Sequence, residues 1–339
     1  MADVDFEVRG ALGLITLNRP KALNALTHAM VGAIHAQLDA WTEDERVKTV
    51  AIQGTGDRAF CAGGDIRALY EAGRPGGARG QANFAFYADE YRLNHRIKTY
   101  PKPYVAIMDG IVMGGGVGVS LHGHVRIATE RTVFAMPETG IGLFPDVGAT
   151  YALPRLPGAL GMWLALTGAR LKDLDTLRAG VCDRIVAADK IEGVLAGLAA
   201  GDTPHIPPTV VPDLDERRAI DAAFSGTSVE DILERLERLG TDWAKAQHAT
   251  LLAKSPMSSR IAFRQMREGA ALDFDDAMRL EYRLARYCVT QPDFYEGVRA
   301  QIIDKDNAPR WQPTTLKEAN DTHVAPAFAP LGEEELSLP

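Results

Sequence analysis

The sequence predicts an α/β chain in which repeated strand–strand–helix units are followed by an all-helical C-terminal third. The apolar run at Thr49–Gln53 and the one opening Tyr104–Gly118 read as buried strands. Each leads through a glycine turn into a helix, the first through Phe60-Cys61-Ala62-Gly63-Gly64-Asp65-Ile66-Arg67 and the second through Met113-Gly114-Gly115-Gly116-Val117-Gly118. Pro204, Pro207, Pro208 and Pro212 mark Gly201–Pro212 as a composition break. With 339 residues and 46% hydrophobic content, the chain can bury a substantial core in one to two domains.

Taken in order, Phe6–Arg9 and Leu14–Leu17 make a hairpin around Gly10–Gly13, and Thr27–Trp41 has the apolar spacing of an amphipathic helix. Gly73–Gly80 is a glycine-rich loop, and Val117–Leu121 reads as the start of a helix. Past the proline break, Ser228-x-x-Asp231 opens a helix over Ser228–Leu239 with Ile232, Leu233 and Leu236 on one face. Helices over Asp242–Lys254, Ser258–Glu268, Phe274–Tyr287 and Phe294–Ile303 follow. After Trp311 the chain turns polar and ends with Gly332-Glu333-Glu334-Glu335 near its terminus, a tail expected to pack little. The linear division is therefore a core over 1–200, a linker over 201–216, a helical region over 217–320 and an acidic tail over 321–339.

Chemistry concentrates in Met136-Pro137-Glu138-Thr139-Gly140-Ile141-Gly142-Leu143-Phe144-Pro145-Asp146. Its prolines and glycines suit neither a regular helix nor a central strand. Two carboxylates stand among Met136, Ile141, Leu143 and Phe144, where apolar neighbours disfavour the charged form and tune the acids for proton transfer. The glycines of the two strand-to-helix turns allow close backbone approach and aim N–H groups outward, and two such donors make an oxyanion hole. They fail as a dinucleotide fingerprint, because neither Gly114-x-Gly116 nor Gly116-x-Gly118 has the third glycine.

These motifs resemble the crotonase (enoyl-CoA hydratase/isomerase) superfamily over residues 5–320, the general features being Leu17–Leu26 and the Phe60–Arg67 turn. Met113–Gly118, Met136–Gly148, Glu281-Tyr282-Arg283-Leu284, Glu296–Asp306 and Pro309-Arg310-Trp311 are similar to its 3-hydroxyisobutyryl-CoA hydrolase branch. Hydratases of the superfamily carry a glutamate where this chain has Gly118, and a glycine where it has Asp146, whereas Glu138 keeps its acid. The resemblance implies the crotonase-like spiral of ββα units, an oxyanion hole from the amides of Gly64 and Gly115, and Glu138 and Asp146 as catalytic acids. Glu138 would attack the thioester directly or act as base toward water, and Asp146 would orient water or bind the substrate hydroxyl. Glu90 matches a substrate-contacting acid, so the substrate contacts implied are Glu90, Gly115, Glu138 and Asp146. Ala22, Ala62, Gly64 and Ile66 match the coenzyme A path. Coenzyme A belongs to the substrate, and no separate cofactor is implied.

Net charge of −8 gives no basic face for nucleic acid, although anionic coenzyme A asks for local cations, for which Arg19, Lys21, Arg67 and the arginines of the Gly73–Gly80 loop are candidates. Cys61, Cys182 and Cys288 are odd in number and far apart, as expected of reduced thiols. Cys61, beside the oxyanion turn, is expected to be a small buried residue rather than a reactive one. The eight histidines form no metal-ligand spacing, so no metal is expected, and Gly118-Val119-Ser120-Leu121-His122 lacks the closing glycine of a nucleophile elbow. No run of about 18 apolar residues suggests a membrane span. Met1–Glu7 shows neither an apolar h-region nor an Arg- and Ser-rich presequence, from which a cytoplasmic location is expected. A homo-oligomer is left open.

Three readings therefore compete: hydrolysis of a short branched 3-hydroxyacyl-CoA in valine breakdown, enoyl-CoA hydration or isomerisation, and a non-catalytic acyl-CoA-binding or scaffold role. Gly118 disfavours the second, and the intact acids and glycine turns disfavour the third.

Overall fold

A computed structural model describes residues 2–73, 80–203 and 211–339 of the chain. The arginines of the Gly73–Gly80 loop and three of the four prolines of the predicted linker lie outside the described residues. Two compact units interleave along the sequence. The first comprises Met1–Asp65, Asp89–Ala135 and Arg170–Leu214, and the second Ile66–Ala88, Met136–Ala169 and Asp215–Pro339. The division is therefore not the linear one expected at residue 200, because the chain leaves the first unit and returns to it twice before the helical region begins.

The first unit holds every strand found among the described residues. Strands β1 (Val4–Arg9), β2 (Leu12–Leu17), β3 (Thr49–Gly54), β4 (Ala59–Cys61), β5 (Tyr104–Met108), β6 (Ile111–Met113), β7 (Val125–Ala128), β8 (Val133–Ala135), β9 (Leu171–Lys172) and β10 (Arg184–Ile185) form two sheets. The larger has the order β1-β2-β3-β5-β7-β10 and the smaller β4-β6-β8-β9. Among the described residues, only β1 with β2 and β8 with β9 pair antiparallel. Successive strand pairs β3–β4, β5–β6 and β7–β8 each send one strand to each sheet, which is the repeated strand–strand unit of the sequence. The expected hairpin forms, with Val4 opposite Leu17 and Arg9 opposite Leu12.

Alternation places Leu12, Leu14, Val105, Ile107, Val125 and Ile127 on one face of the larger sheet, where Leu195 and Leu198 of the helix Ile191–Ala200 cover them. The helix His28–Glu43 begins where its sequence says, with the Thr27 hydroxyl accepting from the Met30 amide. The start of a helix read at Val117–Leu121 is displaced: a single turn spans Gly115–Gly118, and its close is set by the Val119 amide donating to Gly115.

The second unit is helical. Val229–Leu239, Asp242–Leu252, Pro256–Gly269 and Phe274–Cys288 are each capped by a Ser, Thr or Asp side chain that accepts a backbone N–H. The helix expected over Phe294–Ile303 is regular only through Val298 and widens into a π-turn over Arg299–Ile303. There the Arg299 guanidinium gathers Glu296, Asp304 and Asp306 at 2.6–2.9 Å. The acidic tail also departs from expectation. Val324, Ala327, Phe328 and Leu336 are buried, and Glu335 accepts from Arg283 at 2.9 Å. Apolar residues between the acids, not the acids themselves, decide its packing.

Leu14→Ala should destabilise the protein by about 2–5 kcal/mol, since Leu14 is 1% exposed within the sheet–helix core. Val8→Ala, at a site 39% exposed, should stay within about 0.5 kcal/mol. Denaturant midpoints of the two variants check the assignment of the buried face.

Candidate active site

In the first unit, the Gly63–Gly64 turn is fixed by the segment Leu23–Leu26. Asn24 is fully buried in the left-handed conformation, its amide nitrogen donating to Thr55 and Ala59 carbonyls at 3.0 and 2.9 Å and its side-chain oxygen accepting from the Arg19 amide at 2.9 Å. Leu26 then pairs with Gly64, donating to the Gly63 carbonyl at 2.8 Å and accepting from Asp65 at 2.8 Å. That alternation turns the Gly64 N–H away from Leu26. The Gly115 N–H is an orphan donor of the first turn after Gly114. Among the described residues neither amide has a protein acceptor. The two lie close together: a Cβ on Gly115 would stand 3.3 Å from the Gly64 nitrogen, 3.2 Å from a Leu26 methyl and 2.5 Å from a Glu90 carboxylate oxygen. A Cβ there would crowd the Gly64 amide and force the Glu90 carboxylate to shift. Glu90, on the helix Phe84–Lys98, is 2% exposed, so an acid does face this turn.

The acids of the second unit are brought together more closely than the sequence indicated. Glu138 opens a 3-10 turn over Glu138–Ile141 and is buried, with one carboxylate oxygen, Oε2, lacking a hydrogen-bond partner. Burial pushes its carboxyl well above the usual range, the charge of Asp146 pushes it further, and Lys254 partly offsets the shift. Asp146 is itself buried. Behind it stands a third acid, Glu281, fully buried on the helix Phe274–Cys288. Its two oxygens accept from the Gly148 and Thr150 amides at 2.7 and 2.8 Å. Burial and the Asp146 charge raise Glu281 to about 8.

The Glu138 turn is held from below by the C-terminal helices of the same unit. Ser255 donates its amide to Thr139 at 3.2 Å and its hydroxyl to Asp293 at 2.6 Å, while Asp293 also accepts from the Gln312 amide at 2.7 Å. Gly142 is left-handed, and a Cβ there would overlap the Asp293 carbonyl, so backbone packs directly on backbone.

The remaining expected residues divide. Ala62 donates its amide to Leu23 at 3.0 Å, which sets it beside the turn containing Ala22, and Ile66 opens the helix Ile66–Gly73. Arg19 is spent on structure, bonding the Ala25 carbonyl at 2.6 Å and Asp65 at 3.0 Å, whereas Lys21 is exposed. Arg67 reaches the Ile302 carbonyl at 3.3 Å. Cys61 is fully buried, and burial pushes its thiol up to about 12, which makes it a packing residue. All three cysteines are free and buried. Sequence reasoning missed Asn24, Ser255, Asp293 and the role of Glu281. Their signals were weak, although a lone acid in the apolar stripe of the helix Phe274–Cys288 marks Glu281.

The sequence profile of the enoyl-CoA hydratase/isomerase family matches residues 12–328. Among curated proteins, the mitochondrial 3-hydroxyisobutyryl-CoA hydrolase of Danio rerio is 48% identical over 99% of this chain and 92% of its own length. The Homo sapiens protein of the same description is 43% identical over 99% and 91%. Among solved structures, an enoyl-CoA hydratase from Rhodobacter sphaeroides superposes with TM-score 0.93 at 41% identity, covering 99% of this chain and all of that one. A carnitinyl-CoA dehydratase from Mycobacterium thermoresistibile gives 0.92 at 42%, covering 99% and 98%. The cytoplasmic location expected from Met1–Glu7 is overturned, because these curated relatives are mitochondrial. An import signal is a short segment separate from the fold, so composition of the folded chain does not report it. Two glycine turns, a two-sheet spiral and a profile match over most of the sequence agree, and the chain belongs to the enoyl-CoA hydratase/isomerase family.

Proposed function

We propose that this chain hydrolyses the thioester of a short branched 3-hydroxyacyl-CoA, 3-hydroxyisobutyryl-CoA above all, releasing the free acid and coenzyme A as in valine breakdown. The observation that carries this reading is the pairing of a buried Glu138 carboxyl with Asp146 while the hydratase acid position is Gly118. Two-carboxylate hydration lacks its second acid in such a chain. The descriptions of the curated relatives support the same choice over the hydratase and dehydratase descriptions of the solved structures.

In the proposed reaction, the Gly64 and Gly115 amides take the thioester oxygen as it gains charge. Water attacks the thioester carbon, giving up a proton to ionised Glu138, and the carbon–sulfur bond breaks as Glu138 returns that proton to the departing thiolate. Burial makes the ionised Glu138 a stronger base than a solvated carboxylate. Asp146 accepts a hydrogen bond from the water or the 3-hydroxyl group. Glu90 contacts the acyl portion, and Ala22, Ala62 and Ile66 line the coenzyme path. The scheme needs no cofactor beyond the coenzyme A of the substrate.

Purified protein should release free thiol from 3-hydroxyisobutyryl-CoA and leave the enoyl absorbance of crotonyl-CoA unchanged. Enoyl loss without thiol release would reverse the reading. Glu138→Gln should lower kcat at least about 10²-fold while CoA affinity holds, and retention of a tenth of wild-type activity removes Glu138 from the scheme. Gly115→Ala should lower kcat by about 10²–10³-fold, because its Cβ intrudes on the Gly64 nitrogen and Glu90. Equal kcat in the two proteins would move the oxyanion hole elsewhere.

Activity and stability should move in opposite directions with pH. Glu138 must be ionised to act, so kcat/KM rises with pH along a limb displaced above the ordinary value of 4.5. Glu281, raised from 4.5 to about 8, binds its proton more tightly when folded; its contribution to stability is full below pH 4.5 and is lost as pH rises through about 8. Melting temperatures and rate profiles measured across that window check both signs.

A further inference from the structure

Residues Asp146-Val147-Gly148-Ala149-Thr150 form an unusual loop. Val147, a β-branched residue, is left-handed at φ 55°, and Gly148 follows at φ 92°. A β-branched side chain in that region costs of order 1–3 kcal/mol and persists only where its surroundings over-determine it. Specific contacts on both sides of it help to do so. Glu281 takes the amides on both sides of Ala149, at 2.7 Å from Gly148 and 2.8 Å from Thr150. Gln265, also fully buried, donates to the Pro145 carbonyl at 2.5 Å and the Thr150 hydroxyl at 2.7 Å. The Ala149 amide closes the turn on the Asp146 carbonyl at 3.0 Å.

Satisfying two amides does not require an acid. A neutral acceptor would cap the short helix Ala149–Ala152 without the cost of burying a carboxyl beside Asp146 and Glu138. The two carboxyl oxygens, however, reach the turn positions on both sides of Ala149 at once, and they do so from a 15-residue helix, Phe274–Cys288. An amide side chain offers one accepting oxygen and sets an NH2 against the other N–H.

We infer that Glu281 is a positioning residue for the hydrolytic reaction, holding the strained Val147–Gly148 turn so that the Asp146 carboxyl stays in its productive place. The inference rests on the hydrolase reading above. Glu281 does not touch the reacting atoms; it acts through Asp146. The raised proton affinity of Glu281 agrees with this placement, since burial and then the charge of Asp146 both favour its neutral form. Lys254, which lowers the proton affinity of Glu138, and Cys288 on the same helix as Glu281 also face these acids.

The test is a double-mutant cycle of Glu281→Gln and Asp146→Asn, read by kcat, KM and the number of CoA molecules bound per chain. Glu281→Gln alone should lower kcat about 10²-fold with KM within three-fold of wild type and one CoA still bound per chain. In the Asp146→Asn background the same change should cost less than two-fold, because the group it positions is gone. Glu281→Ala should be worse than Glu281→Gln in the wild-type background. An equal fold loss in both backgrounds, or a Glu281→Gln enzyme within two-fold of wild type, overturns the inference. If wild-type protein fails to hydrolyse 3-hydroxyisobutyryl-CoA, the functional reading is what has failed. Hydrogen exchange at the Gly148 and Thr150 amides then decides the holding role: faster exchange in Glu281→Gln supports it, and unchanged protection overturns it.

Discussion

Three carboxyl groups buried within one helical unit are the constraint to which the rest of that unit answers. Glu138, Asp146 and Glu281 are each less than a tenth exposed, and charge on Asp146 raises the proton affinity of both glutamates. Such a cluster survives only if its members are tied down and if protons are shared among them. Tying down is visible in every direction: Ser255 and Asp293 under the Glu138 turn, Gln265 at Pro145, and backbone against backbone at Gly142. The helices of the C-terminal third are therefore the mould of the acid site, and their caps and the Arg299 knot keep that mould rigid.

The first unit solves a different problem with the same economy. It must leave two neighbouring N–H groups unspent in a protein interior where nearly every backbone donor is paired. A parallel bridge of one residue, Leu26 with Gly64, spends the Gly63 carbonyl and the Asp65 N–H and leaves the Gly64 N–H between them. Asn24 supports the bridge by replacing three backbone partners with one side chain.

Much of this was legible in the sequence, and the reason is physical. Strand–glycine–helix passages have a fixed meaning, because only glycine lets a backbone approach as closely as Gly115 approaches Gly64. Glu138 and Asp146 stood out because proline and glycine exclude regular structure around them. What was illegible depended on residues far apart in the chain. Glu281 meets Gly148 across more than a hundred residues, and Asp293 meets Ser255 and Gln312, with no local pattern to announce either. The tail misled because its acids dominate its composition, while Val324, Phe328 and Leu336 dominate its energetics.

Val147 ties the packing of the interior to the shape of the acid loop. A glycine at that position would release the left-handed strain but would empty a buried side-chain site, and it would let the neighbouring aspartate wander. Whatever replaces Val147 must satisfy a left-handed backbone and a close-packed interior at once, so few residue types can stand there.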